Sequence, residues 1–200
     1  MAEYHVRRGV VAAFVVSGAW LAGCAEERAA QFGVVSASDL KVGDYAPDFS
    51  FVGQNGQVET FAHVREVVTI VVFPVDPAWP NCDRCREIVQ IADAASARQS
   101  PVAVVSIATP AKPAEECAAA MHRCAVKGQT HLVALHDHAG RVRAMYGSQA
   151  AGKYYVVDWT GRIAAMGPLS DRAGMEKAIR DAVEGHQKHW DEVALPPVAY

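Results

Sequence analysis

Hydrophobic and polar positions along the chain fall into two kinds of run. Val67–Phe73 and Val102–Ala108 are nearly continuous, β-branched apolar stretches of strand length, and this pattern predicts buried strands. After the first run, Ile88, Ile91, Ala92 and Ala95 recur at three- and four-residue steps, which predicts a helix. Met175, Ile179, Ala182 and Val183 predict a closing amphipathic helix in the same way. Two short apolar stretches, Ala46–Val52 and Val58–Phe61, flank Asn55-Gly56 and predict a hairpin. Lys153–Asp158 and Arg162–Met166 flank Trp159-Thr160-Gly161 and predict another. Pro113 followed by Glu115 and Glu116 marks a helix start, and Gly128 its stop. His131–Leu135 is expected as a short strand and Arg141–Tyr146 as a short helix. The resulting order, βββαβα(β)αββα, predicts an α/β sandwich with helices on both faces of a mixed sheet and an N-terminal β-hairpin.

The first residues depart from this alternation. Arg7 and Arg8 precede an apolar run from Gly9 to Trp20, and Leu21-Ala22-Gly23-Cys24 follows at once. The run is short for a membrane span and fits a secretory signal. Its ending resembles the lipobox of bacterial lipoproteins, in which cleavage precedes a cysteine that becomes lipid-modified. The expected organisation is a lipoprotein signal over 1–23, a small, polar tether over 24–42, a folded domain over 43–190 and a tail over 191–200. Export to the cell envelope, with a membrane anchor at Cys24, would expose the domain to an oxidising compartment.

Composition adds two limits. A hydrophobic content of 51% supplies a core and argues against disorder, and a net charge of −3 provides no electrostatic attraction to nucleic acid. Cysteine is the residue that changes the picture: the five lie at 24, 82, 85, 117 and 124. Cys82-Asp83-Arg84-Cys85 sits where the first buried strand gives way to a helix start. Free N–H groups and the helix dipole stabilise an anion there, so Cys82 is the expected thiolate nucleophile and Cys85, one turn on, the expected resolving thiol. Arg84 favours the thiolate and Asp83 opposes it. Asp76 is the candidate proton acceptor for the resolving thiol, and Trp79 is expected to shield one side of the disulfide. A structural disulfide or half of a zinc site is the competing reading, and for zinc no matching second pair of ligands accompanies the cysteines. Cys117 and Cys124 lie seven residues apart on one predicted helix, roughly 10 Å along it at 1.5 Å per residue, too far for a disulfide unless that helix breaks. They read as buried small hydrophobes, with a relay of the disulfide from Cys82 as the sharper option.

Taken together, Ala46-Pro47-Asp48-Phe49, the strand leading to Cys82 and Cys85, Asp137 to Val142 running on to Tyr146-Gly147, and Tyr155 to Gly161 occur in an order that resembles the thioredoxin-fold redoxins. That family comprises membrane-anchored thioredoxin-like thiol–disulfide oxidoreductases and peroxiredoxins. The resemblance spans roughly residues 43 to 185. It implies a thioredoxin-like α/β/α sandwich, thiol–disulfide exchange through Cys82 and Cys85 with protein or small-molecule thiols and disulfides, and no cofactor beyond the dithiol. The chain departs from the family at defined points. Trp79 stands three positions before the first cysteine instead of directly before it. The family's cis-proline would fall near Gly152, where no proline lies. For a peroxiredoxin-like peroxidase with Cys82 as the peroxidatic thiol, Trp79 occupies the place of the usual threonine, and the arginine position again falls near Gly152. A further alternative is a non-enzymatic copper-binding or copper-delivery protein using Cys82, Cys85 and a histidine. His131, His136 and His138 are the histidines expected to gather near a strand end, His136 and His138 facing the same way.

Overall fold

The structure is a computed structural model in which residues 11–12, 39–52, 57–74, 82–96, 100–108, 131–137 and 140–193 are described; for 11–12, 52, 82–86, 131, 134 and 136 the description covers the backbone. In chain order it comprises β1 (Val11–Ala12), β2 (Ser50–Val52), β3 (Val58–Thr60), a one-turn helix α1 (Phe61–Val64), β4 (Val68–Val72) and α2 (Cys82–Ala95). β5 (Val102–Ala108), β6 (His131–His136), α3 (Arg141–Met145), β7 (Lys153–Val157), β8 (Ile163–Pro168) and α4 (Arg172–Val193) follow. The expected helix between Pro113 and Gly128, with Cys117 and Cys124, lies outside the described residues, as do Cys24, Asp76, Trp79 and His138.

The mixed sheet has the order β6-β5-β4-β7-β8, with β4 central. β4 runs parallel to β5 and antiparallel to β7, and β5 is parallel to β6. At the β6 edge, Val11 and Ala12 pair in parallel with Val133 and Ala134. Those two residues fall in the stretch read as an export signal. All residues of β4 and β5 are buried, which explains why both read as continuous apolar runs: each face of these strands is covered. β2 and β3 form the expected hairpin, with Phe51 opposite Glu59.

The two faces of the sheet carry different cores. On one, Val68, Ile70, Val72, Val102, Val104 and Val156 pack under α2 and α4. The α4 residues that face them are Met175, Ile179, Ala182 and Val183, the four that the periodicity singles out. On the other face, Val71, Phe73, Tyr155 and Val157 lie under the hairpin, with Phe49, Phe51, Phe61 and Tyr146 completing an aromatic core. Among the described residues the two long helices thus share one face, and the helices of the other are the short α1 and α3. Leu40, ahead of the hairpin, packs against this second core.

Two local departures from the expected elements have identifiable causes. Phe61 opens α1 and does not extend β3. Asp48 Oδ1 accepts the N–H of Ala62 at 3.0 Å and that of Phe49 at 3.1 Å, so a carboxylate from 14 residues away satisfies a free helix N–H. Phe61 then stacks on Phe49 at 5.1 Å between ring centroids. Second, α4 continues for ten residues past Val183. There Trp159, from the β7–β8 turn, lies over Gly185, where a Cβ would meet the indole at 3.2 Å. The same indole flanks His186 and His189, and His186 Nδ1 is 2.9 Å from the buried Ser100 Oγ. No described helix is long and apolar enough to cross a membrane.

Candidate active site

Cys82 is the first residue of α2 and Cys85 the fourth, so the backbone of both lies in the first turn of a 14-residue helix. Arg84 lies in the same turn. The helix follows the central strand, as the hydrophobic pattern predicts, and its position is set further along by Ile88, Val89, Ile91 and Ala92 in the aliphatic core. The Arg172 guanidinium pairs with the Glu87 carboxylate, tying the start of α4 to the early part of α2.

The end of β4 that leads toward the cysteines is held by residues 146–155. Phe73 donates its N–H to the Lys153 carbonyl at 3.0 Å, and its own carbonyl accepts the Gly152 N–H at 2.6 Å. The Gly152 carbonyl accepts the Leu169 N–H at 2.7 Å. Gly152 has φ of +77°, a left-handed conformation that L side chains rarely adopt. The position where the redoxin resemblance puts a cis-proline is therefore a glycine used as a hydrogen-bond donor, and a proline has no N–H to give. The ring of Phe73 meets Tyr146 at 5.0 Å and, edge-on, Tyr155 at 5.9 Å. Tyr155 Oη donates to the Tyr146 carbonyl at 3.2 Å, whereas the Tyr146 hydroxyl is buried with no hydrogen-bond partner among the described residues. Burial, and next the neighbouring Tyr155, push the Tyr146 phenol far above its ordinary value. Burial and then Asp39 raise Tyr155 as well.

Other sequence candidates separate in space or turn out to be structural. His131 and His136 occupy opposite ends of β6. Five residues of strand put their backbones roughly 16 Å apart at ~3.3 Å per residue. The expected gathering of these histidines at one strand end is therefore corrected: the backbones of His131 and His136 lie at opposite ends of β6. Among the described residues no three His, Cys, Asp or Glu side chains are grouped to hold a metal ion. Asp137, only 6% exposed, accepts the Arg143 N–H at 2.8 Å and anchors the short helix α3. A groove of about 400 Å³ lies between β8 and α4, bordered by Trp159, Asp158 and Lys177, at the opposite end of β7 from Gly152. It brings no thiol or acid–base pair together with the cysteines. Tyr146-Gly147 and Tyr155 were visible in the sequence as the ends of two family segments, but the grip of residues 146–155 on β4 was not, because it consists of backbone bonds and ring contacts.

No protein-family model matches the chain, and no curated protein sequence is significantly similar to it. Solved structures do match. A candidate protein disulfide isomerase from Bacteroides thetaiotaomicron aligns over 75% of this chain and 95% of its own, with 22% identity and a TM-score of 0.53. A candidate thiol:disulfide interchange protein DsbE from Chlorobium tepidum aligns over 72% of this chain and 99% of its own, with 20% identity and a TM-score of 0.53. Peroxidoxin BcpB from Mycobacterium tuberculosis aligns over 74% and 97%, with 16% identity and a TM-score of 0.50. The chain has the thioredoxin-like fold that these thiol–disulfide oxidoreductase and peroxiredoxin structures share.

Proposed function

We propose that this protein is a thiol–disulfide oxidoreductase working through Cys82 and Cys85. The observation that carries the reading is the location of both cysteines in the first turn of the helix after the central strand. A thiol at that end of a helix dipole is favoured as the thiolate, the reactive form. The Cys82 thiolate attacks one sulfur of a substrate disulfide; a mixed disulfide forms and the other substrate sulfur leaves as a thiolate. The Cys85 thiolate then attacks the Cys82 sulfur, closes the Cys82–Cys85 disulfide and releases the reduced substrate. Two electrons pass from the dithiol to the substrate, and the reverse sequence oxidises a dithiol. Arg84 and Asp83 bias the thiolate in opposite senses. Asp76 takes the proton of Cys85, and Trp79 covers one side of the disulfide. Substrates are protein or small-molecule thiols and disulfides.

The site of action in this reading is outside the cytoplasm. Support comes from the signal-like run over 1–23 directly before Cys24, which serves as the lipid anchor, and from the likeness of the fold to the DsbE-named structure. A second reading, a thiol peroxidase with Cys82 peroxidatic, is favoured by the comparable likeness to Peroxidoxin BcpB.

The deciding measurement is the reduction potential of the Cys82–Cys85 pair by glutathione equilibration with mass-spectrometric thiol counting. A two-electron couple between roughly −120 and −270 mV is expected. A pair that never closes, or that resists reduction below about −300 mV as structural disulfides do, overturns the reading. Rapid peroxide consumption with sulfenate on Cys82 moves the assignment to the peroxidase.

A further inference from the structure

The sheet has two edges, and they are built differently. β8 carries a break in register between Val156 and Val157 and ends in Gly167-Pro168. A bulged register and a proline are devices that keep an edge strand from pairing with further chains. β6 has neither. Its ladder with β5 runs unbroken from His131 to His136, and His131-Leu132-Val133-Ala134-Leu135-His136 contains no lysine, proline, glycine or acid. Among the described residues its outer side meets only Val11 and Ala12, which pair in parallel with Val133 and Ala134. The edge accepts an added strand, and a short apolar segment already lies on it. That segment belongs to the run read as an export signal. Removal of residues 1–23 in the exported form takes it away and, among the described residues, leaves the outer backbone groups of β6 unpaired.

Building on the export and dithiol readings above, we propose that the outer edge of β6 is a docking site for an extended, uncharged apolar segment of a protein substrate, added as a parallel strand. Backbone hydrogen bonds supply most of the affinity, so the site selects an extended apolar stretch and not one particular sequence.

Direction selects this occupant over a second copy of the chain. A two-fold pairing of β6 edges would run antiparallel, whereas Val11 and Ala12 run parallel. Direction also relates the edge to the cysteines. α2 connects the parallel strands β4 and β5, so it runs back along the sheet and its first turn lies at their C-terminal ends. A parallel strand on β6 points its own C-terminal end the same way. It lies three strand spacings from β4, roughly 14 Å at about 4.8 Å each, which about four or five extended residues span. A substrate cysteine a few residues C-terminal to the docked stretch is therefore carried to the end of the sheet where α2 begins with Cys82.

The probe is a labelled synthetic peptide with the sequence of residues 7–15, Arg7 to Val15. It is titrated against the full chain and against the full chain carrying Val11→Pro and Ala12→Pro, whose prolines cannot donate to the ladder. The variant is expected to bind roughly tenfold more tightly than the parent, whose own segment competes for the edge. Peptides N-methylated at Val10, Ala12 and Phe14, or at Val11, Ala13 and Val15, test strand addition, because alternate residues turn their N–H groups to opposite sides of the strand. One set is expected to weaken binding roughly tenfold and the other to leave it within about twofold. Equal binding by parent and variant, or equal loss with both methylated peptides, overturns the inference. So does a variant that self-associates in sedimentation and is not dissociated by the peptide, which assigns the edge to a second copy. Should the variant not fold, the chain starting at Cys24 is judged by the same outcomes.

A second arm separates docking from chemistry. The peptide is given a cysteine about four residues beyond one end or the other, held in a mixed disulfide with a chromogenic thiol. Release of that thiolate reports attack by Cys82 on the peptide sulfur, and it is expected roughly tenfold faster with the cysteine on the C-terminal side. Equal rates from the two ends overturn the inference. Binding with the expected methylation pattern but no exchange from either peptide sinks the dithiol reading and leaves the docking edge standing. Exchange with small disulfides but no binding at the edge sinks the inference alone.

Discussion

The two faces of the sheet solve the same burial problem with different materials. Among the described residues the face under α2 and α4 is aliphatic apart from Tyr154, and its cover is two helices that also meet each other. The opposite face is aromatic, and its described cover is a hairpin, two short helices and turns. Long helices pack by ridges and grooves and can shift as bodies when a side chain is lost. A cluster of rings held at 5.0–5.9 Å by strands and turns has less freedom to close a gap. The lesson is that the cysteine-bearing helix rests on the more adaptable face, while the strand leading to it is fixed by the less adaptable one.

The largest effect that tests this contrast is truncation of one residue on each side. Phe73→Ala is expected to cost about 3–5 kcal/mol, more than Ile179→Ala at about 2–5 kcal/mol for a comparably buried aliphatic residue. Denaturant unfolding of both variants measures it, and the reverse ranking would break the contrast. A next, smaller effect is alkaline. Tyr146 and Tyr155 on the aromatic face have raised phenol values, chiefly from burial, against Tyr154 on the other. The unfolded chain releases these protons near pH 10 while the folded chain keeps them, so folding takes up protons above that pH and stability falls as pH rises. Unfolding curves recorded from pH 9 to 11 should show this loss, and Tyr146→Phe should reduce it more than Tyr154→Phe. The smallest effect sharpens the picture of the ring cluster. Tyr146→Phe removes a buried hydroxyl that has no partner among the described residues, and a gain of about 1 kcal/mol is expected, read as a higher unfolding temperature.

How far the fold could be read from sequence follows from the range of the forces involved. β4, β5 and α4 were legible because burial on both strand faces, or along one helical stripe, writes itself into neighbouring residues. The start of α2 at Cys82 was legible for the same reason, since an apolar strand ends and a helical period begins around it. α1 was not, because the Asp48 carboxylate that supports its start comes from across the hairpin. The histidines of β6 looked adjacent in sequence, but an extended chain separates His131 from His136. Gly152 could be noticed from sequence only as the place where a proline was missing. What it does there depends on Phe73, 79 residues earlier, and on Leu169, neither of which any local pattern connects to it.

The long closing helix has a consequence of its own. From Arg172 to Val183 it is bonded into the core, and beyond Val183 it is retained by the Trp159 indole over Gly185 and by the contact between Ser100 and His186. Its stability is therefore graded along its length. The first three turns open only when the domain does, while among the described residues the last turns are held by one indole, against Gly185, His186 and His189, and by a single hydrogen bond. Such an opening is a local excursion with little apolar surface to expose. Because α4 begins beside Glu87 of α2 and runs away from it, fraying starts at the end of the molecule remote from the cysteines and leaves their helix undisturbed.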